Sequence, residues 1–289
     1  MKNLYFQILP KLKVCLTSTS DLCFNEKDLL LAQAYVPGLN TKNTKSKKTD
    51  ITIGHTESNK KLFSCKNGKI KIYDKWGGKI PLDFWHLLYS VCRIQFLKKE
   101  LYPIHAACVG KNNYILIVGH SGHGKTTILL KLLEKHGFYL FSGNKTVIKF
   151  NKKSILAIAG TSTITTKTEN TKQKIKLTNY CGRSALFLDK KHFETKPQVK
   201  IKTIVIVRLN DGVKENKKIN IPSSTHTLYP YFLDVVNADT IISNRVFIGT
   251  PPKGSSEKLA SKLNLALAKI PVYQITGSLP FITQEITKL

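Results

Sequence analysis

ILIVGHSGHGKTTILLKLL, Ile115 to Leu133, decides how this chain is read. An apolar run, Ile115-Leu116-Ile117-Val118, has the composition of a buried strand. It enters Gly119-His120-Ser121-Gly122-His123-Gly124-Lys125-Thr126, which fits Gly-x-x-x-x-Gly-Lys-Ser/Thr at every required position. A helical pattern follows from about Lys125 to Lys135 and closes at His136-Gly137, a natural C-cap. Strand, glycine turn and helix in this order form a phosphate-binding unit. The glycines let successive N–H groups face an anion, and the helix N-terminus adds its dipole. Lys125 is placed to neutralise β/γ-phosphate charge, and the Thr126 hydroxyl to ligate Mg²⁺.

Outward from this unit, "IHAACVG" and "YILIVG" read as a hairpin whose second strand feeds the loop. "FYLFSGNKTVIKF" and "SILAIAG" continue the sheet, and "IKTIVIVRL" is a further apolar strand ending at Asn210-Asp211-Gly212. Near the end, "GSSEKLASKLNLALAKIPVYQI" reads as a helix capped by its Ser-x-Glu start, with Leu259, Leu263 and Leu267 on one face, then a short strand.

The first 100 or so residues differ in character. Residues 1–40 carry only a weak strand signal, and Asn40 to Asp50 is polar and basic, as an exposed loop would be. "KLFSCKNGKIKIYDKWGG" has the form of a hairpin turning at Asn67-Gly68. "PLDFWHLLYSVCRIQFLKKE" places Phe84, Leu87, Leu88, Val91, Ile94 and Phe96-Leu97 on a helical stripe. The expected organisation is a small β-rich region at 1–100 ending in a helix, then a P-loop nucleotide-binding domain at 101–289.

At 289 residues with 42% hydrophobic content, the chain can bury a substantial core. No apolar stretch approaches the roughly 20 residues of a membrane span, and the N-terminus lacks a signal-peptide pattern, so a cytoplasmic location is expected. Six scattered cysteines without a Cys-x-x-Cys pair point away from a disulfide framework or zinc site. The formal charge is +28, and only four of the 46 basic residues are Arg. Such a charge favours encounters with polyanions, by a solvated Lys-rich surface or a functional patch. No local run interleaves aromatics with the charge, as single-strand nucleic-acid binders do.

"YPIHAACVGKNNYILIVGHSGHGKTTILLKLLEKHGFYLFSGN" resembles the C-terminal domain of HPr kinase/phosphorylase and its HPr-kinase-like relatives, most clearly from Ile104 to Asn144. The resemblance implies an α/β P-loop kinase core of the phosphoenolpyruvate-carboxykinase type. It implies ATP and Mg²⁺ as cofactors and a hydroxyl-bearing acceptor, in a protein, peptide or small molecule. Relatives are often homo-oligomers. The cofactor set would be Gly119, His120, Ser121, Gly122, His123, Gly124, Lys125, Thr126 and Thr127.

One departure bears on chemistry. Where the family carries an acidic pair that helps hold Mg²⁺ and takes the acceptor's proton, this chain has Ser142-Gly143-Asn144. Asn144 can offer a metal its carbonyl oxygen but cannot accept a proton. Two residues are candidates for the missing base. His105 matches the family's strand histidine and is either a base or orienting group, or a buried structural histidine. Asp211 is either an acid at a strand end, where Mg²⁺ is met, or part of an ordinary turn. Asp189 and Asp234, which follow apolar stretches, are lesser candidates for the base, and Arg183 and Arg245 are phosphate clamps or salt-bridge partners. His120 and His123 either touch the nucleotide or are ordinary loop residues. The Thr-rich stretch Ala157 to Glu169 either contacts substrate or forms an exposed strand. A kinase is therefore the leading expectation. A nucleotide-binding regulatory module without transfer chemistry is the second, and a nucleic-acid-associated ATPase the third.

Overall fold

The computed structural model describes residues 2–8, 12–22, 26–40, 49–66, 69–111, 113–152, 154–166, 174–175, 184–186, 192–233, 241–242, 246–247 and 250–289. It is a mixed α/β structure. The N-terminal part contains β1 (Lys2–Ile8), β2 (Leu12–Ser18), α1 (Glu26–Tyr35), β3 (Leu39–Asn40), β4 (Ile51–Glu57), β5 (Leu62–Lys66), β6 (Lys69–Asp74) and α2 (Leu82–Lys98). Its strands form one six-stranded sheet in the order β3-β1-β2-β4-β6-β5. Alternation sets the buried face: Ile51 and Ile53 of β4, and Ile72 of β6, are fully buried between exposed or half-buried neighbours. Against them α2 turns Trp85, Leu88, Cys92 and Phe96, all fully buried and spaced three or four apart. Burying a side chain of this size stabilises the fold by about 1.5–3 kcal/mol.

The second part begins with β7 (Leu101–Ile104), β8 (Ala107–Gly110), β9 (Tyr114–Val118), α3 (Lys125–Lys135), β10 (Tyr139–Ser142), β11 (Thr146–Asn151) and β12 (Ser154–Gly160). Three short strands follow, β13 (Ile164–Thr166), β14 (Lys174–Ile175) and β15 (Ser184–Leu186), which pair with one another. Then come β16 (Val199–Leu209), β17 (Glu215–Ile219), α4 (Ser223–Leu233), the β18 (Ile241–Ile242) and β19 (Val246–Phe247) pair, α5 (Ser255–Leu267), β20 (Val272–Gly277) and α6 (Leu279–Thr287). A nine-stranded sheet runs β10-β8-β9-β16-β12-β11-β7, with β20 on β16 and β17 on β20. β9 is buried along its whole length, and β16 is parallel to it. The apolar faces of α3 and α6 close one side of this sheet, those of α4 and α5 the other.

Several expectations meet corrections. The weak signal over residues 1–40 conceals α1 as well as three strands. α4 and α6 were not anticipated. The last long helix is not capped by its Ser-x-Glu start: the N-cap is Gly254 in the left-handed region at φ 73°, and Ser255 Oγ donates to Pro252 O at 2.5 Å. β5 and β6 pair antiparallel with Lys66 opposite Lys69, as a hairpin requires, while Asn67-Gly68 lies outside the described residues. Among the described residues no helix is long and apolar enough to cross a membrane.

A polar seam joins the two parts. The Gly38 N–H donates to Gly160 O at 2.9 Å, and Lys145 Nζ donates to Tyr35 O at 2.8 Å while standing 3.8 Å from the centre of the Tyr89 ring. Burial, with the Arg93 charge behind it, pushes the Lys145 amine from its ordinary 10.5 down to about 7. The unfolded chain therefore binds the extra proton between pH 7 and 10.5, so stability rises with pH across that window and is flat below it. Thermal melts of the Lys145→Met variant should lack this slope, so that wild type gains on it between pH 7 and 9.5. The gain is at most about 1.4 kcal/mol per pH unit. Parallel melting curves would contradict the burial of this charge.

Candidate functional site

Strand register gathers the candidate residues at one edge of the large sheet. β9 ends at Val118, β8 starts at Ala107 opposite Ile117, and β10 ends at Ser142 opposite Cys108. β16 passes Val118 at Ile206 and ends at Leu209, where β20 ends alongside at Gly277. This edge therefore carries the β9 loop, the His105-Ala106 junction, Gly143-Asn144 and the Asn210-Asp211 turn. It is also the edge at which α3 and α6 begin.

The loop is tied down by main-chain bonds. The His123 N–H donates to His120 O at 3.2 Å, and the Ile128 N–H donates to Gly124 O at 2.9 Å as α3 starts. The Leu209 N–H donates to His123 O at 3.2 Å, joining the end of β16 to the loop. Gly122 and Gly124 lie in the left-handed region, at φ 85° and 84°. At Gly124 there is a second demand, because an added Cβ would stand 2.1 Å from Leu209 Cδ1. The Lys125 side chain, only 9% exposed, folds back so that Nζ donates to Gly119 O at 2.5 Å and His120 O at 3.1 Å. Burial holds its amine below the ordinary lysine range. Ser121 and Thr127 are exposed, and Thr126 is half-buried.

The surroundings are cationic and aromatic. The His120 ring lies 4.7 Å from Tyr231 of α4 and 5.2 Å from His123. Burial holds His123 below the usual imidazole range, aided by His120, Arg208 and Lys125 and opposed by a hydrogen bond to Val207. Sequence reasoning missed Arg208 and Tyr231. Arg208 is legible only once β16 is known to run beside β9, and Tyr231 only once α4 is placed.

His105 is exposed at the β7–β8 junction, so its reading as a buried structural histidine does not hold. Asp211 is exposed in a tight turn held by Asn210, whose side-chain oxygen accepts the Gly212 N–H at 3.1 Å. The Asn210 N–H in turn donates to Gly277 O at 2.9 Å, so the turn is fixed to β20. Asn144 is half-buried, and its N–H and that of Lys145 both donate to Thr161 Oγ1, at 3.0 and 3.2 Å. Thr161 and Thr163 are buried, so this part of the Thr-rich stretch supports the Gly143–Lys145 turn and is not an exposed strand. Asp189, Asp234, Arg183 and Arg245 lie outside the described residues. No group of three or more His, Cys, Asp or Glu side chains able to hold a metal occurs among the described residues.

A Ser–His pair exists elsewhere but is sealed. Ser18 Oγ lies 2.8 Å from His55 Nδ1, both residues are buried, and the imidazole stacks on Trp76 at 3.7 Å. With His55 Nε2 at 3.0 Å from Asp74 O, the pair ties β2 to β4 and β6 and meets no substrate.

No protein-family model and no curated protein matches this chain. Among solved structures it is similar to the Hpr(Ser) kinase/phosphatase from Coxiella burnetii, at 12% identity with a TM-score of 0.32 over 65% of this chain and 92% of that one.

Proposed function

We propose that this chain binds a nucleoside triphosphate with Mg²⁺ at Gly119–Thr126 and transfers the γ-phosphoryl group to an acceptor hydroxyl, as a kinase. The observation that carries the reading is Lys125. Its buried ammonium is held at the mouth of a left-handed glycine turn, at the head of α3, where the helix dipole also favours an anion. A γ-phosphate meeting that ammonium replaces two neutral carbonyl partners with an ionic one, which is a gain inside a partly dry site.

The residues present fit Mg²⁺. Thr126 and Asn144 both offer oxygen donors, and this ion keeps several waters while taking one or two protein oxygens and the phosphates. When held by Thr126 and Asn144 it would neutralise charge on the phosphate groups. The chain's own contribution is positioning. The loop amides orient the triphosphate, Lys125 and Arg208 offset developing charge, and the acceptor hydroxyl attacks phosphorus as the bond to the bridging oxygen breaks. Asp211, in the turn that follows β16, accepts the acceptor's proton, with His105 on the same edge as the alternative.

The test is transfer of label from γ-labelled ATP to acceptor pools by the full chain. Asp211→Asn should lower the rate by about 10²–10⁴-fold while leaving ATP affinity within a few-fold. Equal rates in wild type and in Asp211→Asn would remove Asp211 from the chemistry. His105→Gln then separates the two candidates. Label that never leaves ATP would favour the second reading, a nucleotide-binding regulatory module. The observation behind that reading is Asn144, an amide whose main chain is fixed by Thr161 at the point where the family motif carries acids.

A further inference from the structure

The outward face of the six-stranded sheet, opposite the one covered by α2, brings together residues that no local run of sequence does. Register sets Tyr5 beside Cys15, Cys15 beside Thr52 and Thr52 beside Lys69, one row across four strands spanning roughly 14 Å. The next row carries Lys71 between Gly54 and Ser64, and a third sets Tyr73 beside Leu62, which is 59% exposed. Lys69 and Lys71 are exposed, and Tyr5 and Tyr73 half-buried. The outward positions of β4 and β6 are Thr52, Gly54, Thr56, Lys69, Lys71 and Tyr73, with no acid among them.

We infer that this sheet face binds single-stranded nucleic acid, with Lys69 and Lys71 on the phosphates and the rings of Tyr73 and Tyr5 under the bases. Phosphates need exposed cations without neighbouring carboxylates, and this face supplies them. Bases need flat aromatic rings beside hydroxyl groups, which Tyr73, Tyr5, Thr52 and Ser64 offer on this face. A duplex would present only its backbone to such a face and leave the tyrosines unused. An anionic membrane would draw the lysines by charge but would stack nothing on the tyrosine rings. The chain's net charge of +28 strengthens the encounter but does not choose the face. The inference is independent of the loop at Gly119–Thr126.

Fluorescence anisotropy of the full chain with a labelled oligouridylate of about 16 nucleotides tests it. Wild type should bind with a steep salt dependence. Lys69→Gln/Lys71→Gln should reduce the slope of log affinity against log salt by about 1.4, for two lost phosphate contacts on a single strand. Tyr73→Ala should weaken binding about tenfold without changing that slope, and Tyr73→Phe should restore it. Lys217→Gln/Lys218→Gln, on β17 of the other sheet, should change neither. The proposal is overturned if that control pair lowers the slope as much, or if a duplex of equal length binds as tightly. It is equally overturned if phosphatidylserine vesicles, and not the oligonucleotide, are held by Lys69 and Lys71 with Tyr73 indifferent.

Discussion

Lys125→Ala should weaken triphosphate binding on the order of 10²–10³-fold while leaving the fold as stable as wild type or slightly more so. The two effects have one cause. The ammonium is buried and, among the described residues, hydrogen-bonded to the Gly119 and His120 carbonyls, so burial works against its charge. Removing it relieves that cost in the free protein and removes the counter-charge from the complex. Lys125→Arg should recover little, because a planar fork does not fit a position shaped around a point charge and two carbonyls. Titration calorimetry paired with thermal melts reads both effects. A variant that loses stability in proportion to its affinity would show Lys125 to be a structural strut.

Gly124→Ala should be nearly as damaging, and for a different reason. At φ 84° an L side chain costs roughly 1–2 kcal/mol. The new methyl would also stand 2.1 Å from Leu209 Cδ1 and 3.2 Å from its Cβ, so Leu209 must leave its rotamer and the end of β16 must give by a few tenths of an ångström. A fall in melting temperature of roughly 5–10 °C is expected, with loss of nucleotide binding as the Leu209 to His123 hydrogen bond breaks. The double variant Gly124→Ala/Leu209→Ala separates most of the two contributions, since it removes the Cδ1 and Cγ overlaps, leaves only the Cβ at 3.2 Å, and keeps the backbone cost. Gly122→Ala gives the comparison case. It has the same left-handed backbone but nothing within 4 Å of the added carbon, so it should cost only the backbone part. Equal losses at 122 and 124 would contradict the role assigned to Leu209.

The loop, its strand and its helix were legible because each rests on local chemistry: β-branched residues, glycines at fixed spacing, and a helical stripe ended by Gly137. The approach of β16 to the loop was not. Nothing in "TIVIVRL" says which strand it will lie beside, and only the parallel pairing with β9 and the Leu209 to His123 hydrogen bond bring the end of β16, with Arg208, beside the loop. α1 escaped notice because Leu29-Leu30-Leu31 are consecutive and so mark no single helix face. α4 is masked by Pro230 within it, and α6 begins directly after β20, so its Ser278 cap reads as a turn. Thr161 was misread for a related reason. A threonine that holds two amides across a turn looks, in sequence, like any other residue of a Thr-rich strand. The Ser255-x-Glu257 reading failed because Gly254 already ends the preceding segment in a left-handed conformation, leaving Ser255 inside the helix.

Titration calorimetry of Mg-ATP into the full wild-type chain bears most directly on the whole account. If the main-chain amides of Gly119–Thr126 and the Lys125 ammonium grip phosphate, one saturable site should appear, and inorganic triphosphate should compete for it while adenosine should not. No heat from adenine or guanine triphosphates, or a site that adenosine blocks and triphosphate leaves untouched, would contradict it.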